Sequence, residues 1–297
     1  MNFDLDLKDL KDKYKKNRIY NFMITIKKNI DFLFIKHKCK GGIKKLNLDP
    51  QKKSPLFIVS LTSYDKRVYK VTPYALHSLF NQTEMPDKIV LWLDHSTKIH
   101  KNLKRYINAG LEIKFCDDLK SYKKLIPSLT EYPNDVIITT DDDIYYDKDW
   151  FKLLKESYLS EPKKIHCHVA HEICLDENKQ IIPYVEWRRH ICSIENAKRL
   201  FPTGNGGILY PPKIFIGEIM NIEKFQHIAP TADDIWFWAM AHVSGCEYKL
   251  VKNNINKVIG IGYSNDKLTV INVFQGQNDE QIKNIIKEYP KIYESIL

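Results

Sequence analysis

Cysteine is scarce in this chain, and its spacing excludes the usual uses. The six cysteines, at positions 39, 116, 167, 174, 192 and 246, include no Cys-x-x-Cys pair. A zinc ribbon and a disulfide scaffold are therefore disfavoured, and reduced thiols in the cytosol are the expected state. No segment approaches the roughly 20 apolar residues that cross a bilayer. No cleavable signal peptide is visible, since the first apolar run is broken by Lys27 and Lys28. A cytoplasmic protein is expected on these grounds. The Gly-x-x-x-x-Gly-Lys-Ser/Thr loop of P-loop kinases is missing. So is a Gly-x-Gly-x-x-Gly after the first apolar run, which disfavours a dinucleotide oxidoreductase. Any bound phosphate must then be met by a metal or by basic side chains. Acids are outnumbered, 37 against 46 Lys and Arg, for a net charge of +9. That excess suits an anionic partner (nucleic acid, anionic lipid or a phosphorylated substrate) or a solvated lysine-rich surface.

What is present suffices for one large domain with an appendage. The chain has 297 residues, 43% apolar and 12% aromatic, which argues against global disorder. Residues 1–53 are lysine-rich. Within them Ile19, Phe22, Met23, Ile26, Ile30, Leu33 and Phe34 recur at spacings of three and four, a helical pattern. Lys27, Lys28, Lys36, Lys38 and Lys40 lie beside it. Such a basic amphipathic helix can lie on an anionic membrane surface at the cytoplasmic face, or pack on the core. Residues 54–297 form the expected globular domain.

Apolar runs at 56–61, 88–94, 111–115 and 135–140 read as strands, with a helix over 72–81 between the first two. Strands alternating with helices predict βαβ units and a mostly parallel, Rossmann-like α/β sheet flanked by helices. Ligands of such sheets bind beyond the carboxyl ends of the strands. That rim carries Thr62, Ser63, Tyr64, Asp94 and the triplet Asp141-Asp142-Asp143.

Three adjacent carboxylates at a strand end repel one another unless a cation sits among them. Hard oxygen ligands suit Mg²⁺ or Mn²⁺, which also bridge phosphates. Arg67 and Lys124 are candidate phosphate contacts or plain surface charges. The glycines of Gly204-Asn205-Gly206-Gly207 either admit a ligand close to the backbone or shape an ordinary loop. Asp233-Asp234 open a helix that ends near Gly245. Thr231 and Asp234 have capping-box spacing, which competes with a general-base role for the pair. His166, His168, His171 and Cys174 look metal-like. Read as one strand over 164–173, however, 166 and 168 share a face that 171 does not, so zinc is disfavoured. Trp187 and Arg188 either hold a sugar acceptor or form an aromatic anchor with surface charge.

Seven segments then fall in order: Ser60-Leu61-Thr62-Ser63-Tyr64, Asn81-Gln82-Thr83, Pro86 to Trp92, Lys124-Leu125-Ile126-Pro127, Thr140 to Asp143, Gly204 to Gly207, and Ala232-Asp233-Asp234. Together they resemble bacterial GT-A glycosyltransferases of surface-polysaccharide synthesis (capsule, O-antigen or lipooligosaccharide), similar in layout to family-2 enzymes, over residues 55–285. The resemblance implies a GT-A-type fold and a nucleoside-diphosphate sugar donor, a UDP-sugar first. It implies a glycan or lipid-linked glycan acceptor and Mn²⁺ or Mg²⁺ as cofactor. It implies that Thr62, Ser63, Tyr64 and Asp94 hold the nucleoside, with Arg67, Lys124, Asp141, Asp142, Gly206 and Gly207 also on the nucleotide sugar. Asp141 and Asp143 become the metal-binding Asp-x-Asp, and Asp234, or Asp233, the base. Two departures stand out: Asp rather than Glu opens the acidic pair, and the Gln-x-x-Arg-Trp motif of processive synthases is missing. Both favour transfer of one sugar per encounter; inversion is what the resemblance implies. The rivals are a retaining transferase, a two-metal sugar-phosphate nucleotidyltransferase and a nucleic-acid-binding protein. The acidic rim argues against the last.

Overall fold

The computed structural model describes residues 18–47, 49, 51–255, 258–261 and 270–297. Strands β1 (Phe57–Thr62), β2 (Lys88–Asp94), β3 (Leu111–Cys116) and β4 (Val136–Thr140) lie within one residue of the apolar runs that predict them. The strands that follow are short: β5 (Ile144–Tyr145), β6 (Ile165–Cys167), β7 (Ala170–Glu172), β8 (Leu200–Pro202), β9 (Ile208–Tyr210), β10 (Tyr248–Leu250) and β11 (Ile259–Gly260). Seven of these build the central sheet in the order β10-β6-β9-β4-β1-β2-β3. β1 is parallel to both β2 and β4, β2 to β3, and β6 to β10. Within this sheet only β9 runs against its neighbours. The mostly parallel α/β sheet is thus the one the alternation of elements predicts.

Both faces of the sheet are covered, which is why its central strands are apolar throughout rather than alternating. On one side Val59, Leu61, Leu91 and Ile138 meet the helices Thr72–Leu79 and Trp150–Ser160 through Leu76, Leu79, Phe151 and Leu154. On the other, Ile58, Val90, Trp92 and Ile137 meet Tyr122, Leu125 and the helix Asp233–Val243. Residues 235–241 of that helix are buried without exception, as expected of a helix that is apolar all round. Gln82 explains part of the Asn81-Gln82-Thr83 motif. It is 1% exposed, donates to Ser78 O and Asp147 O, and accepts from Phe151 N.

The chain runs outward from β1 to β2 and β3, then returns to place β4 on the other side of β1. The strand order reverses there, and a crevice opens beyond the carboxyl ends of the two strands. Leu61 pairs with Thr140 in this register, so Thr62 and Asp141 leave the sheet side by side.

Two expectations need correction. The strand predicted over 164–173 is two strands in different sheets, β6 in the main sheet and β7 paired with β8. Between them the His168 ring is fixed by Trp150 O and Ile255 N, and Val169 packs against Gly206. The helix predicted over 72–81 stops at Leu79.

The N-terminal helix Arg18–Lys38 is anchored by Ile35, which is fully buried among Val71, Ala75 and Ile261, and by Phe32, edge-on to Tyr74 at 5.4 Å. Ile19, Phe22 and Met23 lie where side chains fall outside the described residues. No helix among the described residues is long and apolar enough to cross a membrane.

Candidate active site

The crevice is the mouth of a cavity of about 550 Å³, within the roughly 300–1,000 Å³ usual for ligand sites. Its wall brings together Thr62, Tyr64, Arg67, Lys124, the Asp141–Asp143 triplet, Asp233 and Asp234. Segments far apart in the chain therefore meet as expected, but the roles within the group differ from residue to residue.

The triplet is partly compensated. Arg67 Nη2 lies 2.5 Å from Asp142 Oδ1 and 2.7 Å from Asp143 Oδ2. Burial opposes the Arg67 charge, but the two carboxylates outweigh it and hold the guanidinium protonated. Asp142 also accepts from Ser63 Oγ at 2.5 Å, and Thr72 Oγ1 in turn donates to Ser63 Oγ at 2.8 Å. Asp142 and Ser63, both expected to touch the nucleotide sugar, are buried and orient Arg67; Asp142 also lines the cavity, whereas Ser63 does not. Asp141 pairs with Lys124 Nζ at 2.7 Å, and its backbone N–H donates to the Tyr146 hydroxyl at 2.8 Å. Asp141 and Asp143 keep 29% and 31% of their side-chain surface exposed, against 7% for Asp142. All three line the cavity, and the outer two are the more open to it. Burial, then repulsion by Asp142 and Asp141, pushes the Asp143 carboxyl up to about 6 despite Arg67. Three acids against Arg67 and a Lys124 shared with Asp233 leave surplus negative charge, and the partly exposed Asp141 and Asp143 fit a divalent cation that keeps water and phosphate oxygens as its other ligands. Among the described residues no cluster of three or more His, Cys, Asp or Glu completes a protein-only metal cage.

Lys124 is the hinge of the site. Its Nζ lies 2.7 Å from Asp141 Oδ1 and 3.0 Å from Asp233 Oδ2, and the residue is 5% exposed. Burial works against its charge, but Asp141, Asp233 and Asp234 together raise its pKa well above the usual lysine value. It is not a surface charge. It is a buried cation that ties the acids of β4 to those of the helix Asp233–Val243.

The capping alternative for Asp234 does not hold. Ala232 occupies the cap position, and no side chain caps the helix. Thr231 Oγ1 donates instead to Asn272, and Gln281 accepts from the backbone N–H groups of Thr231 and Ala232. Asp234 Oδ2 accepts from Gly204 N at 3.0 Å, while Oδ1 is buried with no hydrogen-bond partner among the described residues. Burial first, then Asp233, raises the Asp234 carboxyl to about 7, with Lys124 pulling the other way.

The glycine cluster acts through a different member from those expected. A Cβ on Gly206 would stand 2.4 Å from Val169, and one on Gly207 (φ +85°) 2.5 Å from the Trp150 ring. Both glycines admit packing partners and lie outside the cavity wall. Gly204 also lies outside the wall but backs two of its residues. A Cβ there would stand 2.8 Å from both Asp234 Oδ1 and Lys124 Nζ.

Asp94 turns away to the Ser96-Thr97 turn. Hydrogen bonds from Ser96 and Thr97 hold its carboxyl down near 2, and it does not line the cavity. Trp187 is 3% exposed, donates its indole N–H to Ile182 O, and packs on Tyr184 and Phe201. Arg188 pairs with Glu172 at 2.6 Å. Neither lines the cavity, so the aromatic-anchor alternative is the one the packing supports. His166, His168 and His171 bond to separate partners and do not converge. Tyr184, Phe201, Asn272 and Asn278 line the cavity and were not singled out from the sequence.

No protein-family model matches the sequence, nor does any curated protein. Among solved structures the chain is similar to the mannosyltransferase PcManGT from Pyrobaculum calidifontis, solved in complex with GDP-Man and Mn²⁺. The TM-score is 0.52 at 12% identity, covering 90% of this chain and 76% of that one. It is less similar to S. aureus TarS 1-349, with a TM-score of 0.47 at 14% identity, spanning 67% of this chain and 58% of that one. A 4-diphosphocytidyl-2C-methyl-D-erythritol synthase gives 0.46 at 9% identity, over 75% of this chain and 100% of that one. The last two likenesses are too weak to carry an argument. The first, with the strand order and the crevice at its reversal, shows a mixed α/β fold of GT-A type.

Proposed function

We propose that this protein is a metal-dependent glycosyltransferase that moves one sugar from a nucleoside-diphosphate sugar to an acceptor hydroxyl with inversion. The observation that carries the reading is the meeting of two acidic groups in one cavity across Lys124: partly compensated carboxylates at the β4 end, and Asp234 with an unpartnered oxygen at the helix start. The likeness to a mannosyltransferase solved with GDP-Man and Mn²⁺ supports it.

On this reading Thr62 and Tyr64 border the nucleoside, and Arg67 faces the diphosphate. Asp141 and Asp143 hold Mn²⁺ or Mg²⁺, which when bound neutralises charge developing on the departing diphosphate. Asp234 Oδ1 takes the acceptor proton as the acceptor oxygen bonds to the anomeric carbon. The bond from that carbon to the diphosphate oxygen breaks, and the nucleoside diphosphate leaves with its electron pair. A carboxyl raised toward neutrality is suited to a base working near neutral pH. Gly204 holds the other oxygen of Asp234 and so fixes its direction.

A screen of UDP-, GDP- and CMP-sugars with Mn²⁺ tests the reading. It predicts metal-dependent release of the free nucleotide. Release of pyrophosphate from a nucleoside triphosphate and a sugar phosphate would overturn it in favour of nucleotidyl transfer.

The setting proposed is bacterial surface-polysaccharide synthesis at the cytoplasmic membrane face, with a lipid-linked glycan as acceptor. The N-terminal helix supports it. Ile26, Ile30, Leu33 and Phe34 are 41–64% exposed, with Lys27, Lys36, Lys38 and Lys40 exposed beside them. Ile30→Asp with Leu33→Asp should weaken binding to phosphatidylserine vesicles, as added salt should. Unchanged vesicle binding by that variant would remove the membrane contact from the account.

A further inference from the structure

The helix that carries the second acidic pair is fixed unevenly along its length. Asp233 and Asp234 are its first two residues, and no side chain caps it among the described residues. Residues 235–241 are buried throughout, so packing fixes the body of the helix. The first turn has no such support. Its backbone N–H groups lack partners within the helix, and helix ends are where fraying starts.

That turn is held from behind by one side chain. Gln281, on the helix Gln277–Glu288, is 2% exposed and does not line the cavity. Its Oε1 accepts from Thr231 N at 3.0 Å and from Ala232 N at 3.1 Å. Its Nε2 donates to Thr231 Oγ1 at 2.9 Å and to Gln277 O at 3.0 Å. The amide fits only one way round, because two backbone N–H groups require an oxygen and the Gln277 carbonyl requires an N–H. Thr231 Oγ1 then passes its own hydrogen to Asn272 Oδ1 at 2.6 Å, and Asn272 Nδ2 donates to Thr231 O at 2.9 Å. Two amide side chains therefore hold the N–H, the carbonyl and the hydroxyl of Thr231. A shifted loop would leave several of these groups unpaired.

The link from this loop to Asp234 is short. Ala232 O accepts from Ile235 N at 3.1 Å, which closes the first turn. Gln281 Oε1 on Ala232 N thus sets where the turn begins, and Asp234 lies two residues on. The Asp234 side chain is held in turn by Gly204 N at 3.0 Å. Its carboxylate is located by Gly204 directly and by Gln281 through the backbone.

We infer that Gln281 is a positioning residue for the reaction: it fixes the first turn of the helix Asp233–Val243, and through that turn the direction of the Asp234 carboxylate, without touching donor or acceptor. The inference rests on the proposed base role of Asp234. It adds to the machinery a helix that contributes no carboxylate to the cavity.

A double-mutant cycle on the full chain tests this, using whichever of the UDP-, GDP- and CMP-sugars wild type turns over with Mn²⁺. Gln281→Met keeps the length of the side chain and removes the amide. It should lower kcat by about tenfold or more, since misplacement by about 1 Å can cost about 10²-fold. The donor KM and the affinity for the free nucleotide with Mn²⁺ should stay unchanged. Amide hydrogen exchange should quicken at residues 231–236 and not at 237–243. In an Asp234→Asn background the same substitution should lower kcat no further, because the group it positions is gone. Gln281→Glu keeps an oxygen for the two N–H groups, so kcat should fall by only about threefold, the worth of a weak hydrogen bond. That variant replaces Gln281→Met in the cycle if the latter does not fold. An equal loss of kcat in both backgrounds, an unchanged kcat, or unaltered exchange at 231–236 overturns the inference and leaves Gln281 a structural residue. Wild-type kcat in Asp234→Asn alone removes the base role and the inference with it, so the two failures are told apart.

Discussion

The two halves of the cavity differ in how far their charges are met. On the β4 side every acid has a cation: Lys124 for Asp141, and Arg67 for Asp142 and Asp143. On the helix side, among the described residues, Asp234 Oδ1 and Asn278 Oδ1 are buried and accept no hydrogen bond. The first half is rigid before any ligand arrives, which suits positioning. The second carries unmet demand, which suits a group whose partner is a substrate. Preorganisation and reactivity are thus separated in space, with Lys124 as the one cation shared between them.

Breaking that shared cation should have the largest effect. Lys124→Met leaves Asp141, Asp233 and Asp234 without their buried counter-ion and should destabilise the fold by about 3–5 kcal/mol at pH 8. The loss should shrink at pH 5, where Asp234, whose carboxyl is raised to about 7, carries a proton. Urea denaturation at the two pH values measures both, and a pH-independent loss would mean that Lys124 matters through packing alone.

Asp234→Asn comes next. It should lower kcat and kcat/KM together, by a factor on the order of 10² or more, with donor affinity nearly unchanged. Because the folded-state carboxyl is raised, stability falls as pH rises from about 4 to about 7, and the full cost is present at pH 8. The variant should therefore melt no lower than wild type at pH 8, although Asp234 is part of the chemistry. A lower melting point there would show that Lys124 depends on Asp234 more than this account allows.

The smallest effect separates wall from scaffold. Trp187→Phe should cost about 1–2 kcal/mol of stability through poorer packing on Tyr184 and Phe201, while the KM for acceptor stays unchanged. A raised acceptor KM without loss of stability would return Trp187 to the binding surface.

The β4 half was largely legible in the sequence, and the other half was not. A buried strand that runs straight into Asp141–Asp143 announces itself, because the signal is contiguous and the strand end fixes the direction. The pair Asp233-Asp234 was visible for the same reason. Lys124 was found, but its ion pairs were not legible. Whether a lysine meets solvent, phosphate or a buried carboxylate depends on what the fold brings against it, here Asp233 from the far end of the chain. Trp187 was left open for the same reason, since nothing in Trp-Arg-Arg-His tells whether the ring is covered. Gly206 and Gly207 drew attention as a cluster, yet the approach to the site is made by Gly204. Asn278 did leave a trace. It shares the face of the helix Gln277–Glu288 that buries Gln281, Ile282 and Ile285, so it is a polar residue on a buried stripe. That pattern asks for a partner that the sequence does not supply.

The pH dependence of kcat/KM for nucleotide release, in the presence of acceptor, tests the separation most directly. Asp234 acts as a base only when ionised, and burial beside Asp233 raises its carboxyl to about 7. The rate should therefore climb as pH rises through about 7, falling by about tenfold per unit below it. That limb should vanish in Asp234→Asn. A limb near pH 4, the value of an ordinary carboxyl, or one that survives unchanged in Asp234→Asn, would contradict the account.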